Sequence, residues 1–160
     1  PIDGATPSGA SLIAEALLDP LTKSGYRALA LEVPRDAEPA FVAWATGETN
    51  VVPEFFSKPN ADGRGNREVL ALVRRALRPP YEWKLICFDA TAAEMQDYVM
   101  ARQLKDNQGT IAEIAAQLNN GDIAAISRQR DASMASCLAA ERKKLLPHDK
   151  ILAICGNFQK

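Results

Sequence analysis

Three short apolar runs constrain this chain more than any other feature of it. They are Tyr26-Arg27-Ala28-Leu29-Ala30-Leu31-Glu32-Val33-Pro34, Trp83-Lys84-Leu85-Ile86-Cys87-Phe88 and Ile151 to Cys155. Each is bounded by proline, glycine or a polar residue, the pattern of strands buried on both faces. The polar residues fall at comparable places: Glu32 near the end of the first run, Asp89 directly after the second, Gly156-Asn157 after the third.

Helical patterns fill the intervals. From Ser8 to Leu18, Leu12, Ile13, Ala16 and Leu17 share one helical face; Pro20 ends or bends that helix and Lys23-Ser24-Gly25 closes it. Asp36 to Thr46 reads as helix, Gly47 to Asn66 as loop, and Asn66 as the cap of a helix from Arg67 to Arg78 that Pro79-Pro80 stops. Further helices are expected at Ala92 to Leu104, Thr110 to Leu118 and Ile123 to Leu146, the last two separated by an Asn119-Asn120-Gly121-Asp122 turn.

Strands alternating with helices predict an α/β fold: three layers, with a mostly parallel sheet of about four strands, right-handed crossovers and helices on both faces. Pro1-Ile2 is expected to be the remnant of a fourth, opening strand, and Pro1 in place of methionine suggests a processed or trimmed amino end. At 160 residues the chain has the size of one domain, spanning 1–160. A net charge of -1 gives no electrostatic footprint for nucleic acid, and no apolar stretch approaches the ~20 residues that cross a bilayer. A soluble protein, cytoplasmic or secreted into a host cell, is the expectation. Cys87, Cys137 and Cys155 are odd in number with no paired spacing, and read as reduced, mostly buried thiols.

Ligands of open α/β sheets lie outside the carboxyl ends of the strands. That rule selects Asp3, Glu32, Asp89 and Asn157. A carboxylate such as Glu32 inside an apolar strand is expensive unless paired or functional. On the last long helix, Arg130 and Asp131 admit two readings. They belong either to an ordinary solvated face or to a functional one, in which Arg130 reaches the strand ends to pair with Glu32 or grip an anion. Met134 reads as core. Gly63-Arg64-Gly65-Asn66 lacks the lysine and serine of a phosphate-binding loop, and neither Cys87 nor Cys155 has a histidine base nearby in sequence. The single histidine, His148, belongs to the turn before the last strand, at the opposite end of the sheet from the proposed cleft.

Leu29-Ala30-Leu31-Glu32-Val33-Pro34 after a Gly25-Tyr26 helix stop, Phe88-Asp89, Arg130-Asp131-x-x-Met134-Ala135 and the closing Gly156-Asn157-Phe158 together resemble the erythromycin esterase/ChaN/Tiki superfamily. The resemblance implies an α/β sheet with its functional cleft at the strand ends. Members of that superfamily include macrolide-inactivating esterases, a haem-binding iron-uptake lipoprotein, metal-dependent Wnt-cleaving proteases and bacterial effectors delivered into plant hosts. Two departures matter. The family's opening motif pairs a glycine and a glutamate with a histidine two residues on, where this chain reads Gly4-Ala5-Thr6-Pro7; its closing motif reads Gly-Asn-x-His, where this chain has Gly156-Asn157-Phe158-Gln159.

The charged floor of the family's cleft is thus expected to survive without its proton-transfer groups. The resemblance implies a catalytically degenerate domain, of the bacterial-effector kind, binding a small ligand or host protein through Arg130, Asp131 and Asn157 beside Glu32 and Asp89. The alternative is a hydrolase that uses Glu32 and Asp89 as its catalytic carboxylates, with or without a divalent metal. Haem binding is a third reading. No residue set is assigned to a metal, and the cofactor is left open.

Overall fold

The computed structural model describes residues 9–53, 67–102, 113 and 116–155. Its elements are α1 (Gly9–Lys23), β1 (Tyr26–Pro34), a 3-10 turn (Arg35–Ala37), α2 (Glu38–Thr46), α3 (Arg67–Leu77), β2 (Lys84–Asp89), α4 (Ala92–Arg102), α5 (Asn120–Lys143) and β3 (Lys150–Ile154). The three strands form one parallel sheet in the order β2-β1-β3. Pro1-Ile2, the expected fourth strand, lies outside the described residues, as does most of the helix expected at 110–118.

The period of two along a strand sorts the core into two layers. Leu29, Leu31 and Val33 of β1 join Leu85 and Cys87 of β2 against Leu18 of α1, Phe41 and Trp44 of α2 and Leu70, Val73 and Leu77 of α3. On the other face Ala28, Ala30, Ile86 and Phe88 pack on Met134, Cys137 and Leu138 of α5. The small Ala28 and Ala30 side chains suit close approach of a helix, while Ile86 and Phe88 supply the bulk. Helices therefore cover both faces, and the chain has the expected small α/β architecture.

Local chemistry moved two boundaries. Pro20 lies inside α1, which continues to Lys23 before Gly25, at φ 91°, turns the chain into β1. The Asn119–Asp122 segment is no separate turn: Asn119 caps α5, its side chain accepting from the amides of Gly121 (2.8 Å) and Asp122 (3.0 Å) while Asp122 reaches back to the Asn119 amide. That reciprocal capping box starts the helix at Asn120. The outward Cys87 amide of β2 donates to the Glu38 carboxylate at 2.7 Å, so α2 covers part of that edge. No described helix is long and apolar enough to cross a membrane.

Candidate functional site

The alternation that buries Ala28 and Ala30 under α5 carries Glu32 to the same face. Parallel pairing of β1 with β2 slips between Leu31 and Pro34, three steps of β1 opposing two of β2, and Asp89 ends β2 beside this irregularity. Arg130 comes from α5, where Ile126, Arg130, Met134 and Leu138 make a row of i, i+4 neighbours. Ile126 and Met134 are core residues, which fixes the direction in which Arg130 must point.

The three side chains converge. Arg130 Nε and Nη2 donate to the two oxygens of Asp89 at 2.7 and 2.7 Å, and Nη2 donates to Glu32 Oε1 at 2.5 Å. Glu32 is 7% exposed and Asp89 6%. Asp89 Oδ1 also accepts from the Ala90 amide at 2.7 Å. The bonds to Asp89 first, then those to Glu32, raise the pKa of Arg130 above its ordinary value against the opposing effect of burial. Its guanidinium is a permanent cation that clamps two neighbouring strand ends.

A second clamp stands beside the first. Arg35, just after β1, pairs with both oxygens of Glu94 and donates to Ser133 Oγ at 3.3 Å. Glu94 also accepts from the Thr91 amide at 2.8 Å, and its own amide donates to Thr91 Oγ1 at 3.2 Å. This is a capping box at the start of α4. Ser133 lies three positions after Arg130, on the same side of α5, so both clamps join the strand ends to one helix. Sequence reasoning missed Arg35, Glu94 and Ser133. Thr91-x-x-Glu94 directly after a strand end was the available signal for Glu94; nothing in the sequence pairs it with Arg35, 59 residues away.

The other sequence candidates separate. Asp131, one position and 100° around the helix from Arg130, is exposed and outside the cluster. Arg130 reaches the strand ends and pairs with Glu32, while Asp131 lies on the solvated face. Asn157 and Asp3 lie outside the described residues. His148 is exposed in the turn before β3, 3.6 Å from Asp149, at the amino end of the sheet as expected. Cys87 is buried in the core, and burial followed by the nearby Glu38 charge pushes its thiol pKa far up. It is no nucleophile.

Among the described residues, Glu32, Asp89 and Glu94 thus meet Arg35 and Arg130 at the carboxyl ends of β1 and β2. Among the described residues no group of three or more His, Cys, Asp and Glu side chains is arranged to hold a metal ion. What the arrangement does chemically is hold charge in fixed directions, since the carboxylate oxygens that face Arg130 are already engaged by its N–H groups. Comparison of the chain with protein-family models, with curated proteins and with solved structures returns no match.

Proposed function

We propose that the chain is a catalytically degenerate domain of the esterase/ChaN-like kind that binds a small ligand or a protein partner at the carboxyl ends of β1 and β2. A bacterial effector acting in a host cell is the concrete form of the proposal. The observation that carries the binding reading is the Glu32–Arg130–Asp89 cluster. Two buried carboxylates on adjacent strand ends are a costly arrangement for a sheet that needs only apolar packing, and they sit where α/β sheets receive ligands. Binding is favoured over turnover because both carboxylates are locked in charge-assisted bonds and His148 lies at the far end of the sheet.

The test combines two measurements on the purified chain. A thermal-shift screen against a small-molecule library, with hemin included, is run on wild type and on Glu32→Gln. Hydrolysis is followed in parallel on an ester and lactone panel, with and without manganese, zinc or magnesium. Hits that stabilise wild type and fail with E32Q, together with no turnover, support the proposal. Turnover that disappears in E32Q overturns it in favour of the hydrolase reading, for which the adjacency of Glu32 and Asp89 is the supporting observation.

A further inference from the structure

Arg74 stands in the last turn of α3 and Arg78 directly follows the helix, on the face of the molecule that carries α2 rather than α5. The Arg74 guanidinium lies over the Trp44 ring, 4.9 Å from its centroid. Its Nε is buried and has no hydrogen-bond partner, and the side chain makes no ion pair among the described residues. Among the described residues Arg78 bonds only through Nε, which donates to the Ala45 carbonyl at 2.7 Å, at the carboxyl end of α2. Its Nη2 occupies the space above Gly47, where a Cβ would come within 2.9 Å; Gly47 also has φ +94°. Glu48, next to Gly47, takes a hydrogen bond from Thr46 at 3.1 Å.

Cations that are even half-buried are normally matched by acids, as Arg35 and Arg130 are here. Among the described residues, Arg74 and Arg78 are not. Stacking on Trp44 and the bond to Ala45 fix both guanidiniums, and hold them flat and oriented, without neutralising them. Trp44 under Arg74 and Ala45, which accepts from Arg78, are consecutive residues of α2, so both guanidiniums are held at the carboxyl end of that helix, where the free N–H groups of both can turn to one tetrahedral ion.

From this we infer a second binding site, separate from the strand-end cluster: Arg74 and Arg78 form a receptor for a phosphoryl dianion on the α2–α3 shoulder. Two fixed positive charges match a dianion, and two planar forks offer donors in several directions, as the oxygens of a phosphoryl group require. A carboxylate would satisfy one guanidinium and leave the other unmatched.

The test follows the Nε–Hε resonances of the arginines in 15N spectra of the whole chain. Inorganic phosphate, pyrophosphate and O-phosphoserine are titrated separately at constant ionic strength, with sodium acetate as the monoanion control. The expected result is a saturable shift of Arg74 and Arg78, with an apparent affinity that falls about tenfold in Arg74→Gln and in Arg78→Gln. Arg74→Lys should lose nearly as much, because an ammonium does not lie flat on Trp44. Glu32→Gln should bind phosphate as wild type does, which separates this site from the strand ends. The tightest of the three phosphates identifies the source of the group. If R74Q disturbs the fold, seen as loss of amide dispersion, R78Q and R74K carry the comparison. Non-saturating shifts, an equal response to acetate, or binding that survives R78Q would overturn the inference.

Discussion

Replacing Arg130 by methionine tests the central feature of the molecule. Methionine refills most of the volume on the α5 row, so the change is mainly one of charge. It removes three charge-assisted hydrogen bonds, of 2.5, 2.7 and 2.7 Å, and leaves Glu32 and Asp89 facing each other at 7% and 6% exposure. Breaking a buried ion pair from one side costs about 3–5 kcal/mol. The Arg130 side chain is 25% exposed, so water reaches part of the cluster and the lower end of that range, about 3 kcal/mol, applies. A domain of 160 residues is stable by about 5–15 kcal/mol in all, and such a loss lowers its melting temperature by roughly 10 °C.

Urea unfolding at pH 7, followed by circular dichroism, measures this directly. The informative companion is the triple variant Glu32→Gln, Asp89→Asn, Arg130→Met, which removes the two carboxylate charges along with the guanidinium. It should regain about half of the loss or more, because neutral groups in the same space avoid the uncompensated desolvation. If R130M lies within about 1 kcal/mol of wild type, or the triple variant is no more stable than R130M, the Arg130 bonds do not offset the burial of the two carboxylates and the reasoning fails.

Three further outcomes follow from the same structure. Leu29→Ala, at a side chain with 0% exposure between β1 and the α2–α3 layer, should cost about 2–5 kcal/mol in the same unfolding assay. Alkylation by iodoacetamide, read by peptide mass spectrometry, should modify exposed Cys155 first and half-buried Cys137 more slowly, since burial above all raises its pKa; Cys87 should react only on unfolding. Hydrogen bonds from Lys144, then Lys84, lower the pKa of Glu141, so its contribution is complete above the unfolded glutamate value of about 4.3 and is lost as pH falls through the lower folded value. Urea unfolding of wild type and Glu141→Gln should therefore differ at pH 7 and converge only in acid below the ordinary carboxylate range.

The sheet was legible because a buried parallel strand announces itself locally. Apolar runs with glycine and proline at their ends need no knowledge of the partner strand, and Glu32 and Asp89 stood out as charges against that background. The start of α5 was misread because Asn-Asn-Gly-Asp has turn composition, and the same side chains that favour a turn also cap a helix. Only the reciprocal bonds of Asn119 and Asp122 distinguish the two.

The cluster was half legible, and the missing half concerns rotational phase. Arg128, Arg130 and Asp131 form a charge run that sequence alone treats as one exposed face. On a helix, residues one apart diverge by 100°, so such a run cannot all point one way. The i, i+4 row through Ile126, Arg130, Met134 and Leu138 resolves it, since Met134 and Leu138 pack on the sheet, Ile126 is buried, and Arg130 lies between Ile126 and Met134. An arginine in the middle of an apolar row must either distort the packing or find acids beneath it. The strand period supplies them: two residues on from Ala30, on the face already committed to α5, is Glu32. Each pattern is readable by itself, but which strand lies under which helix is tertiary information. Arg35 and Glu94 depend on that information entirely, because neither stands in a row that betrays the other.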